Sequence, residues 1–151
     1  MDETPVSLTA KPSWLLTQLA VYAHRLATDG FGAAGARGYH YRILAALNEF
    51  GPASQAELGR RSRMDRSDVV AAINELAERD FLERAPDPGD RRRNIVTLTK
   101  AGGRQLRRIE RALEKVQDEV LEPLPATDRE TLVRLLTRLL VHHQRGAASA
   151  D

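Results

Sequence analysis

The chain has no cysteine, so disulfides, thiolate metal sites and thiol-based oxidation sensing are excluded. That absence fits a reducing compartment, and the expectation is a cytoplasmic protein. No run approaches the ~18 uninterrupted apolar residues of a membrane span, and the N-terminus has no apolar signal core, so no membrane partner is expected. Aromatic residues make up only 5% of the chain, so aliphatic side chains must do most of the packing. Leucine and alanine dominate, which favours helix. With 151 residues, 42% of them apolar and 29% charged, the chain can bury one core and carry extensions beyond it.

Net charge is only +2, but it is unevenly placed. Residues 51–108 hold 13 Lys and Arg against 9 Asp and Glu, whereas the whole chain holds 23 against 21, so the basic excess sits in the middle. Such asymmetry points to a nucleic-acid-facing module between more acidic helices.

Hydrophobic periodicity predicts a first amphipathic helix from Trp14 to Ala27, with Leu15, Leu19, Tyr22 and Leu26 on one stripe. The glycine-rich stretch from Asp29 to Gly38 is expected to break it. A second helix follows from Tyr39 to Phe50, ended by Gly51-Pro52. Ser54-Gln55-Ala56-Glu57 fits a capping box that starts a short third helix to about Arg61. Asp65 can cap a fourth helix through Glu78, with Val69, Ile73 and Leu76 buried. The order helix, tight turn, helix is that of a helix-turn-helix, whose second helix enters the major groove.

Next comes Asp87-Pro88-Gly89-Asp90-Arg91-Arg92-Arg93-Asn94-Ile95-Val96-Thr97-Leu98-Thr99, an acidic turn opening into three arginines and an alternating strand. It reads as a long-tipped β-hairpin whose guanidinium groups suit phosphate oxygens and a narrow minor groove. A long helix then carries Leu106, Ile109, Leu113, Val116 and Val120 at alternating three- and four-residue steps, a seam that calls for a partner helix. Pro123-Leu124-Pro125 ends it. Thr127 to Glu130 supplies a second capping box for a last helix rich in leucine, and the residues from Gly146 are expected to fray.

The fourth helix thus nominates Arg66, Ser67, Val70 and Ala71 as groups facing DNA bases, with Arg60, Arg61 and Arg63 before it as phosphate contacts. Arg91, Arg92 and Arg93 are the charges of the hairpin tip. An enzyme is not expected. His142 and His143 are adjacent and point to different sides of a helix, His24 and His40 have no acidic partner at metal-ligand spacing, and no glycine-rich phosphate loop is present, so neither metal nor other cofactor is expected.

At these residues the run from Tyr39 to Gly102 resembles the winged helix-turn-helix of MarR-type transcriptional regulators, and the flanking helices resemble that family's dimerisation region. The specific motif is Asp87-Pro88-Gly89-Asp90-Arg91-Arg92 followed by Val96-Thr97-Leu98-Thr99 and Gly102. The resemblance implies that Asp90 orients Arg92, which enters the minor groove. A carboxylate that orients an arginine also reduces the rotamer freedom it loses on binding. Asp80 stands where the family often has glycine, and aspartate tolerates the left-handed backbone that such a position needs.

The expected fold class is therefore mainly α with a small β-hairpin wing (α+β), a winged helix-turn-helix with N- and C-terminal dimerisation helices. The expected domains are an N-terminal dimerisation helix and loop over 1–38, the DNA-binding module over 39–100, C-terminal dimerisation helices over 101–145 and a disordered tail over 146–151. Expected partners are a second copy of the chain and double-stranded DNA with a pseudo-palindromic operator. The resemblance also implies repression tuned by a small aromatic or phenolic effector, for which Trp14, Tyr39, His40 and Arg42 are the candidate contacts. The alternative is an architectural DNA-binding protein that senses nothing.

Overall fold

A computed structural model describes residues 3–148, which divide after Val116 into two compact units. The elements in order are α1 (Val6–Thr9), α2 (Pro12–Ala33), α3 (Gly38–Phe50), β1 (Ala53–Ser54), α4 (Gln55–Ser62), α5 (Arg66–Glu78), β2 (Leu82–Pro86), β3 (Asn94–Leu98), α6 (Lys100–Val120) and α7 (Ala126–Ala148). This is the expected mainly helical class with a small sheet. In the first unit, Ile43 and Leu44 of α3, Leu58 of α4, Ile73 and Leu76 of α5, Val96 of β3 and Ile109 of α6 converge on one aliphatic core. A core so poor in aromatics relies on branched side chains at helical spacing, as the composition requires.

The sheet is antiparallel in the order β1-β3-β2. Leu82 pairs with Leu98 and Pro86 with Asn94, while Ala53 of β1 pairs with Val96 on the other edge of β3. Neither β1 nor α1 is foreseen from the sequence, because two and four residues are too short for a periodic signal.

The glycine-rich stretch does not break α2 at Asp29. The helix runs on through Gly30 and Gly32, since a Cβ at Gly30 would lie 2.5 Å from Cγ2 of Val116: that glycine lets α2 approach α6. Termination falls to Gly35, at φ +65°, where Ala36 N–H bonds to the Phe31 carbonyl at 2.8 Å and Gly35 N–H to the Gly32 carbonyl at 3.0 Å. These two bonds make a Schellman end. The same motif closes α5: Asp80 takes φ +59°, Phe81 N–H bonds to Leu76 and Asp80 N–H to Ala77, each at 3.0 Å.

Two further expectations need correction. The Leu106 to Val116 part of the seam is covered by the chain's own core, with Leu106, Ile109 and Val116 all buried. It is not left waiting for a partner helix. The last helix begins at Ala126, so Thr127 lies inside it and not at its cap; Arg129 instead binds the Leu124 carbonyl and Asp118 at 2.9 Å each. That helix also continues through Ala148, past Gly146, and residues 149–151 of the expected tail lie outside the described residues. Conversely, the Ser54 box is as expected: Glu57 N–H donates to the Ser54 hydroxyl at 3.3 Å, and Ser54 N–H donates to the Glu57 carboxylate at 2.8 Å.

Segment 34–37, between α2 and α3, holds α5 in place. Arg79 donates to the Gly35 carbonyl at 2.6 Å, and the buried Gln105 amide of α6 donates to the Ala34 carbonyl at 2.8 Å. Arg37 forms an ion pair with Glu75 of α5. His40 receives the Arg37 N–H on Nδ1 at 3.1 Å, so its proton sits on Nε2 and is donated to the other Glu75 oxygen at 2.6 Å. Bonds from Arg37 and then His40 hold the Glu75 carboxyl below its ordinary range.

The folded-state carboxyl titrates below its unfolded value of about 4.3, so its contribution is complete at neutral pH and fades as acid carries the group through the lowered folded value. Glu75→Gln should therefore lower the melting temperature by a few degrees at neutral pH and by progressively less below about pH 4. A deficit that stays the same at both ends would show that the charge is immaterial. A second prediction concerns Gly102, whose Cβ would overlap the Phe81 carbonyl oxygen and Cδ1 of Leu98. Gly102→Ala is expected to destabilise the fold by about 1–3 kcal/mol through overpacking. Gly103→Ala beside it would meet only the far end of Arg107, 3.8 Å away, and gains up to about 1 kcal/mol of helix propensity. Denaturant unfolding of both variants checks the contrast; shifts of the same sign would remove the steric argument.

Candidate nucleic-acid interface

Ser54 starts α4 and Arg63 ends it, taking a left-handed backbone with φ 52° and ψ 53°. This single residue lets the chain reverse within a short turn before α5. Asp65 occupies the cap position of α5, but its side chain makes no capping bond. Along α5 the positions 67, 70, 71 and 74 are separated by three, one and three residues, which places them on one face. Ser67, Val70, Ala71 and Asn74 are all exposed there, while Val69, Ala72, Ile73 and Leu76 face the core.

The wing tip is internally braced. Asp87 N–H bonds to the Arg93 carbonyl at 2.8 Å, Arg93 N–H to the Asp90 carbonyl at 2.9 Å, and Gly89 N–H to the Asp87 carboxylate at 2.9 Å. The Asp90 carboxylate receives the backbone N–H and Nε of Arg92, each at 3.1 Å, and Nη2 at 3.4 Å. These bonds from Arg92 hold the Asp90 carboxyl below its usual range. Arg92 is nevertheless 91% exposed, so the carboxylate aims a guanidinium that remains open to a ligand. Arg91 and Arg93 are exposed beside it.

Between the wing and the start of α5 lies a groove of about 690 Å³ lined by Arg60, Arg66, Arg92 and Arg93, with Asn94, Gln55 and the N-terminal end of α4. No carboxylate lines it. The nearby Glu57 is occupied by its capping bonds to Ser54. Four cations converging beside a helix N-terminus suit a polyanion, because oriented backbone N–H groups and guanidinium charge act together. Arg60, one of the three arginines expected to contact phosphate, belongs to this set. Arg61 lies over the Phe50 ring at 5.2 Å instead.

The candidate effector residues are not brought into one polar site. His40 is 6% exposed and uses both ring nitrogens within the fold. Tyr39 and Arg42 are exposed on α3, and Trp14 is half-buried on α2. Among the described residues no hydrogen bond or ring contact joins Trp14 to the other three. The aromatic contact in this region is between Phe31 and Tyr41, with ring centres 6.0 Å apart. Burial, followed by the negative charge of Glu110, raises the Tyr41 hydroxyl pKa. Among the described residues no cluster of His, Asp and Glu is arranged to hold a metal ion, and no helix is long and apolar enough to cross a membrane.

Comparison with known proteins agrees with this geometry. The MarR family model matches residues 35–93. The HTH-type transcriptional repressor NicR of Pseudomonas putida is 28% identical over 142 residues, covering 93% of this chain and 89% of its own. A probable transcriptional regulator from Pseudomonas aeruginosa, known from its crystal structure, is 32% identical with a TM-score of 0.76, over 87% of this chain and 98% of that one. The PcaV transcriptional regulator from Streptomyces coelicolor, solved in complex with its natural ligand, is 28% identical with a TM-score of 0.73, over 91% and 96% of the two chains. Likeness along nearly the whole chain, joined to a helix-turn-helix and an arginine-tipped wing, shows that the chain belongs to the MarR family of winged-helix transcriptional regulators.

Proposed function

We propose that this regulator is a homodimeric repressor that occupies a pseudo-palindromic operator and is released by a small aromatic ligand. The observation that carries the DNA reading is the groove of four arginines, with Arg92 held by Asp90 at its edge. In this reading Ser67, Val70 and Ala71 face base edges, Arg66 enters with them, and Arg63 and Arg93 contact phosphates. Arg92, oriented by Asp90 and flanked by Arg91, reaches into the minor groove. Phosphate contacts set register and base contacts set sequence, so the two groups of residues have different signatures when removed.

Support for a second copy comes from the apolar side chains that each long helix leaves uncovered. On α2 these include Leu15, Leu19 and Tyr22; on α7 they include Leu135, Leu136, Leu139 and Leu140. Two protomers present two recognition helices, so half-sites should lie about one helical turn apart. Support for repression and release comes from the repressor NicR and from PcaV, which binds a natural ligand. Within this chain Trp14, Tyr39 and Arg42 offer stacking surface, a hydroxyl and a cation, whereas His40 acts on a ligand only by giving up Glu75 or the Arg37 N–H.

Titration of the full chain against DNA upstream of its own gene, beside scrambled DNA of equal length, tests the reading. Specific binding by two protomers per site is expected, whereas equal affinity for both DNAs would favour the architectural alternative. Arg92→Ala should weaken specific binding about tenfold and reduce the slope of log affinity against log salt by about one. An unchanged slope would remove Arg92 from the interface. A panel of aromatic carboxylates and phenols should contain a compound that raises thermal stability and lowers operator affinity; if none changes either, the effector proposal fails.

A further inference from the structure

Asn74 is the fourth member of the exposed face formed by Ser67, Val70 and Ala71, and it alone on that face carries an amide. Its Oδ1 accepts a hydrogen bond from Nη1 of Arg84, a residue of β2, at 2.6 Å. Arginine has only donors, so the amide cannot be turned end for end without placing N–H against N–H. The two elements are thus joined at a residue that would otherwise be free to present either end of its amide.

A free asparagine reads adenine by a paired contact, accepting from N6–H₂ on Oδ1 while donating to N7 from Nδ2. With one lone pair of Oδ1 taken by a cationic guanidinium, which turns that oxygen toward β2 and weakens it as an acceptor, the end that faces the groove without a partner is Nδ2–H₂, which only donates. Guanine offers O6 and N7, two acceptors, on its major-groove edge, while adenine sets a donor beside its acceptor. The positive charge of Arg84 acts in the same direction, since it repels the adenine amino donor and attracts the guanine carbonyl. We infer that Asn74 is a base-reading residue whose preference Arg84 sets to guanine over adenine. This inference rests on the reading of α5 as the helix that enters the major groove, and it adds a specificity device supplied by a strand that does not itself enter.

In vitro selection from a random duplex library, followed by sequencing, tests it with the wild-type chain, Asn74→Ala and Arg84→Ala. The wild type should enrich a two-fold symmetric site, and Asn74→Ala should flatten one base pair of each half-site while leaving the others. That base pair should be guanine for the wild type by about tenfold over adenine, and Arg84→Ala should shift it to adenine. Because Arg84 is exposed, its variant is expected to keep the wild-type melting temperature. If Arg84→Ala unfolds, Asn74→Asp still decides: an amide reduced to acceptors alone should move the same base pair to cytosine. Failure of the wild type to enrich any site would sink the major-groove reading itself. Enrichment in which Asn74→Ala flattens nothing, or in which the wild type selects adenine at that pair, would overturn the inference alone.

Discussion

The recognition helix is positioned by a four-residue segment, 34–37, that shares its polar groups among four helices. Ala34 gives its carbonyl to Gln105 of α6, Gly35 gives its own to Arg79 just past the end of α5, and Arg37 and His40 together hold Glu75. These bonds differ in weight. Gln105 is buried, so breaking its bond leaves an unpaired amide or carbonyl and costs about 1–3 kcal/mol. Arg37 is well exposed, and its pair with Glu75 is screened; its larger effect is to fix where α5 sits, not how stable the fold is.

The second guanidinium-carboxylate pair, Arg92 with Asp90, has a different physical character. It bridges two residues of one turn and stands at the surface, where such pairs contribute little to stability. Its effect lies in the unbound state: an arginine already held in one rotamer loses less entropy on entering a groove. Arg84 acts likewise on Asn74, so both elements that would touch DNA carry a side chain oriented in advance by a neighbour. One neighbour is two residues away in sequence and the other ten.

That difference in sequence separation also explains which features were legible beforehand. The Ser54 capping box closes over three residues and a linear reading finds it; the left-handed Asp80 and the Asp90–Arg92 pair, equally local, are implied by the family resemblance. The Arg37–Glu75 pair spans 38 residues and the Arg84–Asn74 bond crosses from strand to helix, with no local signature at either end. Gly30 misled for the same reason. Its lack of a side chain serves an approach to Val116, whereas in sequence it is indistinguishable from the helix-ending Gly35. The wing motif was legible as a whole, but the groove beside it needed Arg60 and Arg66 brought next to Arg93 by the fold.

The seam of α6 shows how the need for a partner moves from one element to another. Periodicity alone assigns the surplus apolar surface to Leu106, Ile109 and Val116, yet the core of the first unit consumes them. The surplus remains on α2 and α7, whose 22 and 23 residues include no fully buried side chain among those described. Helices owe most of their stability in water to tertiary packing of an apolar face, and propensity alone leaves them marginal. A second copy that covers these faces therefore does more than bring two recognition helices together: it supplies packing that each helix lacks in the single chain. In the homodimer proposed here, folding of α2 and α7 is thermodynamically linked to association, and protomer concentration enters the apparent stability directly.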